Sequence, residues 1–167
     1  MWWSRTIAAA VVAGLLGGCG FRPAYAPTAV TGSKPASENL AAIEIDRIPD
    51  RIGQELRNHL LDVLTPRGQP DNPAYELKVT LNESRSDRGL AETGLATRAI
   101  FRLDANFSLV DKATGNVVMY GSTIAVSTYN ITTVYFANVT AENNARTETA
   151  RRIASNIRTR LSAYFSK

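Results

Sequence analysis

The only cysteine in the chain, Cys19, stands directly after an apolar run ending Leu16-Gly17-Gly18. With an aliphatic residue at −3 and small residues at −2 and −1, the segment resembles a bacterial lipobox. Its chemistry is a diacylglyceryl thioether on the cysteine sulfur, cleavage before Cys19, and acylation of the new N-terminus. Two membrane signals already suffice for stable anchoring, at about 0.8 kcal/mol per buried methylene, so the several acyl chains on Cys19 would hold the protein firmly. Arg5 and the run Ile7 to Leu16 supply the charged and hydrophobic regions of an export signal. A bilayer span takes about 18 or more apolar residues, which this run does not reach. A lone cysteine also reads as a buried small hydrophobe or a reactive thiol, but its place after the apolar run argues against both. Gly20 follows it, where an aspartate would retain a lipoprotein in the inner membrane, so the expected location is the outer membrane, facing the periplasm or a barrel lumen.

The remaining chemistry-bearing residues are sparse. His59 is the only histidine, and it falls off the centre of a helical apolar stripe, where a surface or boundary role is expected. With no second histidine and no free thiol, a zinc site has too few ligands, and a Ser-His-Asp triad would rest on His59 alone. The glycines Gly14, Gly17, Gly18 and Gly20 lie in the export signal and lipobox, so there is no phosphate-cradling loop. Nothing in the spacing of Asp and Glu supports paired-carboxylate catalysis. The expectation is a protein without catalytic activity, cofactor or metal. One group does stand out. Arg85, Arg88, Arg98 and Arg102 gather around one connection between strands, with Lys78 on the outer face of the strand before it. Guanidinium forks suit phosphate, and the dominant anionic amphiphile of an outer membrane is lipopolysaccharide. The same arginines also read as charges solvating an exposed sheet face, partly cancelled by Glu76, Glu83, Asp87 and Asp104.

The elements that must position these side chains follow from periodicity. Of 167 residues, removal of residues 1–18 as a signal leaves 149, the size of one domain. Losing Arg5 takes the net charge from +4 to +3, well short of a nucleic-acid binder's basicity, and no nucleic-acid partner is expected. Residues 19–39 hold Pro23, Pro27 and Pro35 among small polar residues and read as an extended tether. The domain proper is expected over 40–167. Its first strand covers Ala42 to Ile48. Pro49-Asp50 then breaks the chain, with Asp50 able to cap a helix, and Ile52, Leu56, Leu60, Val63 and Leu64 form that helix's stripe. A second strand runs Tyr75 to Leu81, and a polar connection follows from Asn82 to Gly94. The third strand alternates Phe101, Leu103, Ala105, Phe107 and Leu109 with polar residues. Asp111 to Asn116 is turn chemistry, Val117 to Thr133 a fourth β run, and Thr140 to Phe165 a long amphipathic helix. The order β-α-β-β-β-α predicts an α+β fold: a four-stranded, mostly antiparallel sheet with two helices on one face.

With these elements placed, a resemblance becomes visible. The lipobox followed at once by Cys19-Gly20-Phe21-Arg22-Pro23, with Tyr25 close behind, resembles the mature start of the LptE family of lipopolysaccharide-assembly lipoproteins. Tyr129-Asn130-Ile131, Tyr135-Phe136-Ala137, Ala141 to Arg146 and the Arg152 to Leu161 helix are similar to its alphaproteobacterial branch. The resemblance implies a protein that plugs the LptD β-barrel, helps that barrel assemble, and takes part in inserting lipopolysaccharide into the outer leaflet. It also implies lipopolysaccharide-binding bases near the second-to-third strand connection, matched here by Arg85 or Arg88, and near the last helix, matched by Arg146. No lysine answers the family's second position, and the long polar tail of some relatives is missing. The alternative is a periplasm-facing lipid-binding or lipid-transfer lipoprotein with no barrel partner.

Overall fold

The computed structural model describes residues 36–90 and 96–166. The expected export signal, Cys19 and most of the expected tether therefore lie outside the described residues. The elements are α1 (Ala36–Ala41), β1 (Ile43–Ile45), α2 (Asp50–Leu64), β2 (Tyr75–Leu90), β3 (Ala96–Asp111), β4 (Val117–Asn130) and α3 (Tyr135–Phe165). The four strands form one sheet in sequence order, with β1 parallel to β2 and the other neighbours antiparallel. This is the α+β architecture expected from the order of periodicities, with the short helix α1 added where the tether was expected to continue.

Helix α2 forms because Ile52, Leu56, Leu60 and Leu64 recur every four residues and are all buried. Its start differs from expectation. Pro49 occupies the cap position, and no side chain caps the helix. Asp50 itself is helical in assignment but adopts φ +66, in the left-handed region that aspartate tolerates better than most residues. The turn brings the first turn of α2 hard against the connection from β1: a Cβ on Gly53 would stand 2.7 Å from Ile48 Cγ2 and 2.9 Å from the Ile48 carbonyl oxygen. Only glycine permits that approach. At the other end, Thr65 N–H donates to the Leu61 carbonyl at 3.0 Å, and Pro66 prevents continuation.

One face of the sheet is apolar: Leu77 and Val79 from β2, Phe101 to Leu109 at alternate positions of β3, and Ala125 from β4. α2 and α3 cover it, α3 through Ala145, Ala150, Ile153, Ala154, Ile157 and Leu161. The last turn of α3 closes the layer, with the Phe165 ring 5.2 Å from that of Tyr75. The expected turn between the third and fourth strands is present: Asp111 Oδ1 accepts the N–H groups of Ala113 (2.9 Å) and Thr114 (3.0 Å), and Gly115 takes φ +72. Among the described residues, no buried side-chain polar atom lacks a hydrogen-bond partner. No described helix is long and apolar enough to cross a membrane.

Several boundaries move. β1 is three residues rather than seven, and β4 ends at Asn130 rather than Thr133. α3 starts at Tyr135, five residues before the expected Thr140. The largest correction concerns Asn82 to Gly94, expected to be a connection. β2 runs through to Leu90 and β3 begins at Ala96, with pairing unbroken from Tyr75↔Asp111 to Arg88↔Arg98 and on to Leu90↔Ala96. The apolar alternation stops at Leu81 because beyond it the helix-side face meets charges rather than core. The backbone ladder continues regardless.

Candidate functional site

The far half of the β2–β3 hairpin carries the arginines, and strand parity sorts them. Successive side chains point to opposite faces. Arg85, at the same parity as Leu77 and Val79 and opposite the buried Phe101, faces the helices. Arg88, Arg98 and Arg102 take the other parity and face away, on the open side of the sheet. The four sequence-identified arginines are thus one on one face and three on the other.

On the helix side Arg85 enters a closed ionic network. Its Nε and Nη2 donate to the two Asp87 carboxylate oxygens at 3.0 and 3.3 Å, and its Nη1 donates to Glu142 Oε2 at 2.9 Å. Glu142, on α3, also accepts from the Tyr129 hydroxyl at 3.2 Å and pairs with Arg146 Nη2 at 2.7 Å. Arg146 in turn lies 3.7 Å from Glu83 and places its guanidinium 5.3 Å from the Phe101 ring centre. The Asp87 hydrogen bond is the main reason the Arg85 pKa is raised. Partial burial, then the Glu142 charge, push the Tyr129 hydroxyl above its ordinary value, while Arg85 pulls the other way. The arrangement fastens the start of α3 to β2 and β4, and it leaves Arg85 and Arg146 committed to protein carboxylates.

On the open face the balance differs. Arg102 gives its charge to Asp104, two residues along the same face, through Nε to Oδ2 at 2.9 Å and Nη2 to Oδ1 at 2.8 Å. That fork raises the Arg102 pKa and lowers that of Asp104. Lys78 lies towards the other end of β2, 3.3 Å from Glu76. Arg88 and Arg98 are left. They are direct cross-strand partners, both exposed, and neither has an acidic partner among the described residues. Like charges set directly opposite destabilise a strand pair, so a bound anion between or above them would relieve the arrangement. A phosphate oxygen pair matches the guanidinium forks. Around them the open face mixes neutral polar residues, Thr80, Asn82, Ser84, Ser86, Asn106, Ser122 and Thr128, with Ile100 and, along β4, the exposed apolar Tyr120, Ile124 and Val126.

His59 is half-buried on α2, and among the described residues no group of His, Cys, Asp and Glu could hold a metal ion. Two features were not read from the sequence as part of a site. Glu142 and Tyr129 are the centre of the ionic network, and only the tertiary docking of α3 shows it. The second is a set of large apolar side chains left in solvent, Tyr120, Ile124 and Val126 on β4 and Val134, Tyr135, Phe136 and Val139 at the start of α3.

Comparison with known proteins agrees on the fold. A lipoprotein-described protein of Caulobacter crescentus superposes with a TM-score of 0.66 at 23% identity, over 78% of this chain and 96% of that one. A minor lipoprotein of Acinetobacter baumannii gives 0.55 at 23% identity, over 73% and 91%. The rare lipoprotein B of Shewanella oneidensis gives 0.56 at 12% identity, over 73% and 92%. No curated protein matches the sequence significantly. The sequence profile of the LptE family, described as lipopolysaccharide-assembly, matches residues 36–161, most of the chain and every strand of the sheet. The chain belongs to the LptE family of lipopolysaccharide-assembly proteins.

Proposed function

We propose that this protein is an outer-membrane lipoprotein, anchored through acylated Cys19, that plugs and helps assemble an LptD-like β-barrel and takes part in lipopolysaccharide insertion into the outer leaflet. The observation that carries the reading is the family match across residues 36–161. The domain organisation that goes with it is a signal over 1–18, a tether from Cys19 and one folded domain. Two features of the fold support it. The β2–β3 part of the open sheet face, rich in Ser, Thr and Asn, is suited to the polar interior of a large barrel, and the exposed Tyr120, Ile124 and Val126 on β4 offer it an apolar contact. The Arg88–Arg98 pair offers the phosphates of lipopolysaccharide two guanidinium groups that have no acidic partner among the described residues.

Geometry redistributes the four candidate bases within this reading. Arg88 and Arg98 are the phosphate contacts. Arg102, held by Asp104, is a weaker neighbour, and Arg85 is a fastening of α3. Depletion of the protein is expected to lower assembled barrel and surface lipopolysaccharide together, and tagged protein is expected to co-purify with a stoichiometric β-barrel. Unchanged surface lipopolysaccharide after depletion would refute the reading.

A further inference from the structure

At the end of the sheet where β4 stops, the chain turns between Asn130 and Tyr135 and enters α3. Within six residues Val134, Tyr135, Phe136 and Val139 are 59%, 81%, 78% and 38% exposed. Single exposed apolar residues need no explanation, whereas a contiguous group points to a contact surface. This group is held out by a specific clasp. Asn138 Oδ1 accepts the Thr132 N–H at 2.8 Å, and Asn138 Nδ2 donates to the Thr132 carbonyl at 2.8 Å. Ile131 N–H donates to the Thr97 carbonyl at 3.0 Å, tying the same turn to β3. One helical turn beyond, Glu142 anchors α3 to Arg85 and Tyr129. The two rings are therefore presented, and folding inward is not open to them without breaking these bonds.

The occupant of this surface is argued from charge. Asn130, the last residue of β4, is in register with Arg98, and Arg98 with Arg88. The apolar knuckle and the two guanidinium groups, which have no acidic partner among the described residues, thus share one end of the sheet. An apolar groove on another protein would satisfy the rings and leave the two positive charges unanswered. A leaflet bearing anionic phosphate headgroups answers both: aromatic rings settle at the headgroup–acyl boundary, and basic residues beside them meet phosphate.

We propose that the Val134–Val139 knuckle is a membrane-contact element, seating Tyr135 and Phe136 in the interface of an anionic phospholipid leaflet while Arg88 and Arg98 engage its headgroup phosphates. The proposal shares that arginine pair with the proposed lipopolysaccharide contact but needs neither lipopolysaccharide nor a barrel. Its test uses vesicles containing neither, so its failure and the failure of the barrel-plug reading are separate results.

The experiment takes the mature chain from residue 19, with Cys19→Ala and a nitroxide on Ala137→Cys, an exposed position beside the rings. A second sample carries the label on Asn58→Cys, exposed on α2. On adding phosphatidylethanolamine–phosphatidylglycerol vesicles, collisions of the 137 label with oxygen should rise relative to those with a water-soluble nickel chelate. The 58 label should keep its water-like ratio. Tyr135→Ser with Phe136→Ser should abolish the change. Arg88→Gln with Arg98→Gln, or purely zwitterionic vesicles, should raise the lipid concentration needed on the order of 10–30-fold, as loss of two bases near an anionic surface implies. A water-like ratio at 137 with every vesicle, or an unchanged response after either double substitution, overturns the proposal. A label at 137 shielded from both reagents without lipid would overturn it in favour of a protein-covered surface.

Discussion

Replacing Arg85 by alanine separates a fastening role from a ligand-binding one. The side chain makes a two-pronged contact with Asp87 and a 2.9 Å bond to Glu142, and its guanidinium lies 5.9 Å from the Tyr129 ring centre. It is 42% exposed, so solvent screening discounts every one of these contacts. Exposed pairs contribute about 0.2–1 kcal/mol each and an exposed cation–π contact about 0.5 kcal/mol. Glu142 keeps Arg146 at 2.7 Å after the substitution, so no bare buried charge is left to add to the penalty. The expected loss is about 1–1.5 kcal/mol, a fall in Tm of about 3–6 °C for a domain of this size. Among the described residues Arg88→Ala removes a like-charge opposition to Arg98, and it should leave stability unchanged or raise it by about 0.2–0.5 kcal/mol. Urea titrations followed by circular dichroism, compared at constant m-value, read both changes. A double-mutant cycle of Arg85→Ala with Glu142→Ala should show a coupling of about 0.5–1 kcal/mol that shrinks in high salt. Binding to lipopolysaccharide should respond in the opposite order, falling with Arg88→Ala and little with Arg85→Ala. Equal stability losses at Arg85 and Arg88, or no coupling between Arg85 and Glu142, would refute the division of the arginines between two faces.

Three further outcomes follow from the geometry. Tyr129 should titrate above its ordinary pKa of about 10; because the folded value is raised, its contribution to stability is complete below the unfolded pKa and is lost as pH rises through the folded one. Ultraviolet titration of tyrosinate should show Glu142→Gln lowering that pKa and Arg85→Gln raising it further, and shifts of the opposite sign would disprove the assigned causes. Gly121→Ala would place a Cβ 2.3 Å from Phe107 Cζ, an overpacking expected to cost about 1–3 kcal/mol; a stability equal to the parent's in thermal melts would contradict the packing. Leu161→Ala empties a fully buried site between α3 and the sheet and should cost about 2–5 kcal/mol in the same melts, with a smaller loss meaning that the last turns of α3 are not seated there.

Legibility in the sequence tracked the apolar pattern. Phe101 to Leu109 and the stripe Ile52 to Leu64 could be read directly, since each repeats a core residue at the period of its element. Where the pattern stops, so did the reading. Asn82 to Leu90 is strand without apolar alternation, because its helix-side positions Glu83 and Arg85 are matched by charges on α3, and Asp87 by Arg85, rather than by core. That mistaken connection also hid the sorting of the arginines. Once β2 is extended, simple parity with Leu77 places Arg85 under the sheet and Arg88 above it. The start of α3 was missed for a related reason, since Tyr135 to Val139 bury no stripe. Glu142 could not be found at all from periodicity, because the register of a helix over a sheet has no local code. The covalent chemistry expected at Cys19 is read from the sequence alone and lies outside the described residues.

The order in which this fold can complete follows from its closing contact. β2, β3 and β4 are joined by adjacent connections, and such local pairing is the quickest to form. The layer that seals their apolar face arrives last, because Leu161 and the Phe165 ring that meets Tyr75 sit at the very end of the described chain. Until that final turn emerges, Leu77, Leu103 and Leu109 have half a roof. A growing or translocating chain therefore passes through a sheet with one bare greasy side, and β4 at its edge carries no charge to ward off another strand. Leu161 to Phe165 act as a time stamp: the greasy side is covered only once they have emerged.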